Sequence, residues 1–441
     1  MTNYSWRGGS GDLTQAANWI IPAVGTSPAP TAPGAGDSVT FDLPSNPSAT
    51  PGGTLSGNAA YSVLTVGAGS TAPYTFAGQV TTNLAYVASV AVLASGATLK
   101  FGSTGTTSTY RLQIAESASG QSAPGGSLTV AAGATLDGGA QSGAGVALDG
   151  GTGTLTINGI ARFATADSTA SASLSVGRTG TGTVAVSGAG ASLALTGGFY
   201  AGRAKGSSGT VTVSNGAALT ETALSGDGVE VGGGSTISGT LSSGGTGAFN
   251  VLSGGKASVA SQLDVGTQGS TGTVTVTDAG STLTLGSYLT VGTGTLATGG
   301  TGTVSVLAGA SVKMTAAADT SRNYLIAGGQ PGTTGTITVS GTGSLLDVGT
   351  NNASIGSVGT GTLTVSAGGT LRAASADSTV RSALFVGGNA GSNGTVTVAG
   401  AGSSITASGN VYFGRAGAGT LLVDAGGSFT GGQAATGTGT G

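Results

Sequence analysis

Neither cysteine nor histidine occurs in the chain. Their absence excludes disulfides, thiolate nucleophiles, Cys/His zinc sites and every mechanism that needs an imidazole base. Charge is scarce as well: charged residues make up 7% of the chain, 13 basic against 16 acidic, for a formal net charge of −3. They are spread thinly and form no basic patch, so no nucleic acid is expected as a partner. No apolar run approaches the ~20 residues of a membrane span. The opening "MTNYSWRGGSGDL" has no basic start followed by an apolar segment, so no signal peptide is read there. Either a leader has been trimmed and Met1 added, or export uses another signal; trimming is the preferred reading. "GGSGDL" (Gly8 to Leu13) is a single glycine-rich turn, too short for a calcium-binding repeat, and no phosphate loop with its lysine occurs. No metal and no cofactor is expected.

What is abundant is glycine, 89 residues, in a chain that is nonetheless 38% hydrophobic. Disordered chains are rich in charge and poor in apolar residues, and this one is the reverse. Stretches such as "TGTVTVTDAGSTLTLGSYLTVGTG" (Thr271 to Gly294) therefore read as folded. The glycines that open each alternating run are Gly126, Gly153, Gly182, Gly209, Gly247, Gly272, Gly302, Gly335, Gly361, Gly394 and Gly419, at intervals of 25 to 38 residues. A period of that size marks a solenoid, propeller or array, and its variation marks loops of unequal length between strands of similar length.

Within each unit the apolar residues alternate with the period of a strand. The first strand carries pairs such as Val274 with Val276 and Ile337 with Val339. A short middle strand carries Leu283 with Leu285 or Val312 with Met314, and a third reads φ-x-φ-Gly, as in Leu289 and Val291 before Gly292. Glycine there supplies the positive φ of a sharp corner. About three short strands per unit with no helical pattern give an all-β chain whose units read as coils of a β-helix (β-solenoid), with an N-terminal cap. A propeller is the alternative, but its four-stranded blades and hairpin turns have no signal here. A lone coil cannot bury its own core, so stacking must supply the stability. About fifteen coils at ~4.8 Å predict a rod on the order of 70 Å long.

The ends differ from the middle. Trp6 and Trp19, with most of the prolines, mark residues 1–52 as the cap segment. Residues 53–125 read as irregular early coils, 126–430 as regular coils of the same β-helix, and 431–441 as a Gly/Thr-rich tail. The last unit lacks its third strand and reads as an open C-terminal edge.

"SWRGGSGDLTQAANWI" (Ser5 to Ile20) followed by "PGAGDSVTFD" (Pro33 to Asp42) resembles the opening of many Gram-negative β-helical passengers, with Leu13 where a second tryptophan is common. Units such as "GTVAVSGAGASLAL" (Gly182 to Leu195) and "YLTVG" (Tyr288 to Gly292) resemble the repeat shared by autotransporter (type V secretion) passengers and PEP-CTERM-associated proteins. The resemblance covers nearly the whole chain. It implies a right-handed parallel β-helix, extracellular or at the cell surface of a Gram-negative bacterium. Such proteins normally add a translocator barrel or a sorting tail, and neither is read in this sequence.

Three groups of residues are candidates for function. Outward positions of the third strand form a column, Ser175, Tyr200, Glu230, Asp264, Thr290, Ile326, Ser354, Phe385 and Tyr412, in which Tyr200, Ile326, Phe385 and Tyr412 are the candidate aromatic and apolar contacts. The first strand supplies a threonine array: Thr154 and Thr156, Thr210 and Thr212, Thr273 and Thr275, Thr336 and Thr338, Thr362 and Thr364, Thr395 and Thr397. It is interrupted at Ala185, Asn250 and Leu422. Such flat arrays resemble ice-binding surfaces, although threonine is also simply a good strand former. The densest carboxylates are Glu221, Asp227 and Glu230, with Arg203 and Asp264 on neighbouring coils. They are the only support for a polysaccharide-degrading enzyme, and no catalytic residue is assigned.

The expectation is a non-enzymatic passenger or stalk that adheres to surface carbohydrate, or to host or abiotic surfaces, by many weak contacts. Self-association through the C-terminal edge, building filaments or matrix, is the alternative.

Overall fold

The computed structural model describes residues 2–436 apart from 26, 42–52, 67–72, 102–109, 116–124, 139–142, 165–172, 223–227, 234–235, 238–239, 242–243, 295–298, 316–322, 375–381 and 433. The described residues are strands and turns, with a single 3-10 turn at Ala16–Asn18 and no α-helix. The fold is a parallel β-helix. One coil is Thr271–Thr277, Thr282–Leu285 and Leu289–Thr293; the next is Thr301–Leu307, Ser311–Met314 and Asn323–Ala327. Each strand pairs in parallel with its counterpart, so Val274 faces Val304, Leu283 faces Val312 and Leu289 faces Leu325. Like apolar residues thus stack on like, and the inward Val, Leu and Ile side chains of these coils are buried.

Contacts divide the chain into two compact units. The first comprises residues 1–199 with 217–220. Here Asn3–Trp6 pairs in parallel with Ser38–Phe41, and its other edge is taken by Trp19–Ile20, antiparallel. That reversal ends the parallel ladder. Trp6 and Trp19 are buried edge to face, ring centroids 4.9 Å apart, and Phe41 lies 5.7 and 5.5 Å from them. Each indole N–H is satisfied, Trp6 donating to the Gly9 carbonyl at 3.1 Å and Trp19 to that of Leu13 at 2.9 Å. In the early coils one long strand runs through the corner between two faces. Gln79–Val87 pairs with Thr98–Phe101 through its first half and with Tyr110–Ile114 through its second.

The second unit comprises 200–216 and 221–441. Its first face is built from eight strands among the described residues, from Ser208–Ser214 to Ala418–Asp424, each paired in parallel with the next. At the corner that closes each coil two glycines meet. Gly292 takes φ +64°, and Gly302, which opens the next first strand, points inward against it. A β-carbon on Gly302 would overlap the Gly292 nitrogen and the Val265 carbonyl oxygen. One glycine is required by its dihedral and the other by close approach.

Candidate functional site: the outward faces of the coils

The third-face column is in register along the second unit: Tyr200, Glu230, Asp264, Thr290, Ile326, Ser354, Phe385 and Tyr412 stand on successive rungs. It is recessed rather than exposed. Tyr200, expected to be an outward contact, is only 1% exposed, and the Arg203 guanidinium lies over its ring, 4.1 Å from the centroid. Ser354 is buried too, as is Ser175 in the first unit. The cause is the chain just beyond the corner glycine, which folds back along the column. Gly233 packs beside the Glu230 carboxylate, and Gly329 packs beside the Ile326 side chain.

Ile326, Phe385 and Tyr412 are half-buried. Phe385 and Tyr412 stack on adjacent rungs, centroids 5.5 Å apart and planes 11° off parallel, with the Arg415 guanidinium 5.5 Å from the Phe385 centroid. Their facing surfaces cover one another, so the pair offers its ring edges and the cation to a ligand.

Glu221 stands apart from Glu230 and Asp264, buried inside its coil where they lie on the third face. Glu221 occupies the inward fourth position of its strand, the place Leu195 and Leu285 take in theirs. It is 1% exposed, and its carboxylate accepts the Ser261 backbone N–H at 3.1 Å and the Ser261 hydroxyl at 2.9 Å. Asp227 lies outside the described residues. Glu230 and Asp264 are neighbours in register, but the Asp264 carboxylate accepts from the Gln262 amide and the Thr290 hydroxyl, the latter on the following coil. Burial pushes the Asp264 carboxyl above its ordinary range, and those two hydrogen bonds pull it back in part. Among the described residues no three acidic side chains gather as a metal site would require.

The threonine array is laid out on the first face. Thr154 and Thr156 stand in the first unit, paired with Thr183 and Ala185. Thr210 and Thr212 begin the second unit's columns, which Ala248 and Asn250 interrupt. From Thr273 and Thr275 the columns run unbroken through Thr303 and Ser305, Thr336 and Thr338, and Thr362 and Thr364. They end at Thr395 and Thr397, because the next rung places Thr420 beside Thr395 but Leu422 beside Thr397. Alternation turns these side chains outward while the aliphatic residues between them are buried. Every one of these threonines, from Thr154 to Thr397, is half-buried, since neighbours on adjacent rungs cover one another's flanks.

The second face differs in its charge. Lys313, Asp347 and Arg372 follow one another on successive rungs of the second unit, as Lys100, Asp137 and Arg162 do in the first. These alternating ladders favour the observed register, because each charge faces its opposite.

One group of residues escapes sequence reasoning. Ser281, Ser344 and Ser403 are buried, and each hydroxyl oxygen accepts the N–H of a left-handed glycine on the preceding coil, Gly254, Gly309 and Gly368, at 2.9 to 3.0 Å. Their signal is the small-residue step after each first strand, where each of these serines follows a glycine, Gly280, Gly343 and Gly402. Comparison of the chain with protein-family models, curated proteins and solved structures finds no match. Among the described residues no helix is long and apolar enough to cross a membrane.

Proposed function

We propose that the chain is the β-helical part of a bacterial surface protein and that it works without catalysis, as a display and adhesion element. The observation that carries this reading is repetition of position: each outward place recurs on successive coils in register, so a ligand lying along a face meets a side chain at every rung. Linking weak contacts multiplies their strength, provided the ligand also repeats. Surface polysaccharide is such a ligand. On the third face the stacked Phe385–Tyr412 pair with Arg415 is the group best suited to a sugar ring.

The test is retention of the purified chain on immobilised glycans and on bacterial or abiotic surfaces. Replacing Phe385 and Tyr412 together by alanine is expected to reduce retention about tenfold or more. Unchanged retention in a folded double variant would sink the assignment of the contact to that pair.

A second reading is favoured by the coil at 418–431. Val423 stands in register with the buried Val398 yet is 42% exposed, and Leu422 is 51% exposed. Copies of the chain would associate through this apolar edge.

A further inference from the structure

The first face of the second unit carries an inference independent of the adhesion reading, because it uses a different face. On the five strands Thr271–Thr277, Thr301–Leu307, Thr334–Ser340, Thr360–Ser366 and Asn393–Ala399 there is no charged residue. The second strands of the same coils place Lys313, Asp347 and Arg372 outward. Strand propensity accounts for threonine on both faces, but it does not account for charge being kept off one of them.

The five strands pair without any shift of register. The two central columns therefore form a lattice, with rows about 4.8 Å apart across the rungs and about 6.7 Å apart along the strand. Nine of the ten central positions, from Thr273 to Thr397, are threonine and the tenth is Ser305. Among the described residues these hydroxyls make no hydrogen bond within the chain. The nearest hydroxyl pair that does bond, Ser366 with Ser340 at 3.0 Å, lies in an outer column. Each central threonine thus keeps a donor and two lone pairs for solvent, beside a methyl group that excludes loosely held water.

We propose that this face binds ice. Recognition of a glycan calls for amides, carboxylates or aromatic rings, and a protein interface calls for an apolar centre. The central columns have none of these. They offer a rigid, uncharged lattice of hydroxyl and methyl groups whose two repeats lie close to oxygen spacings on a prism face of ice. A single hydroxyl gains nothing over bulk water by bonding to ice. An array gains because its rungs are fixed in advance and hold many waters in the positions the crystal requires.

The test is the freezing behaviour of the purified chain on a seeded ice crystal. Faceting of the crystal and a gap between melting and freezing are expected. Thr338→Lys and, separately, Thr364→Lys put a charge at the centre of the lattice and are expected to shrink the gap about tenfold. Thr284→Lys, on the second face, is expected to leave it unchanged. Circular dichroism and the melting midpoint establish that each variant is folded, and two central variants guard against one that is not. The proposal is overturned if the folded wild type neither facets ice nor opens a gap, or if both central variants match it. It is equally overturned if the face retains a neutral insoluble polysaccharide, lost in Thr338→Lys, with no effect on ice.

Discussion

Gly302 has no space for a β-carbon, since two backbone groups of the same corner already stand where it would go. Backbone cannot rotate away as a side chain can, so Gly302→Ala must open the corner or push two coils apart. The expected cost is about 3 kcal/mol, the upper range for overpacking, read as a lowered urea midpoint. Asp264 makes a different demand. Its pKa is raised on folding by burial, so folding favours the protonated form. Protonation therefore stabilises fully below the ordinary value of 3.8, and that contribution fades as pH rises through the raised value. Asp264→Asn should melt higher than wild type at pH values above the raised one, by about 1–2 °C, and the difference should close as pH falls through it toward the ordinary 3.8. A difference that stays constant with pH would show that the carboxyl is not the cause.

At the scale of the strand, register is held by stacked likeness in the core and by alternating charge on the second face. Asp347→Lys would line up three cations, Lys313, the new lysine and Arg372, on successive rungs. The expected loss is about 1 kcal/mol at low salt, diminishing as salt is added, and thermal melts at two ionic strengths measure it. Strands and corners are also what the sequence makes legible. Val274, Val276 and the closing Gly292 can be read from alternation and from one glycine, because both depend only on near neighbours along the chain. The recess of the third face depends on something else. Nothing in "GFYAGRA" (Gly198 to Ala204) tells that the chain after Gly202 returns over Tyr200, for that is decided by packing beyond the corner. Glu221 is hidden for the same reason: alternation puts it inward, yet the hydrogen bonds its carboxylate accepts there come from Ser261, forty residues on.

For the whole molecule, the sparse charge leaves little electrostatic repulsion to keep copies apart. The apolar edge around Leu422 and Val423 is then the place where association should begin. The expectation is a sedimentation coefficient that rises with concentration, and a double variant, Leu422→Lys with Val423→Lys, that removes the rise. If the rise persists in the double variant, association uses another surface.

The paired glycines at each corner carry a consequence for how such a chain can change in length. Every coil of the second unit's regular stretch begins and ends at the same joint, and the partners above and below it are chemically alike. Excising the residues from Gly302 through Thr334 would bring Gly335 against Gly292 in place of Gly302, and Thr336 and Thr338 beside Thr273 and Thr275. The joint would accept the exchange without any other residue being altered. The coil is thus a cassette, and gene duplication or loss can lengthen or shorten the stack one cassette at a time while the corners and the core keep their pattern.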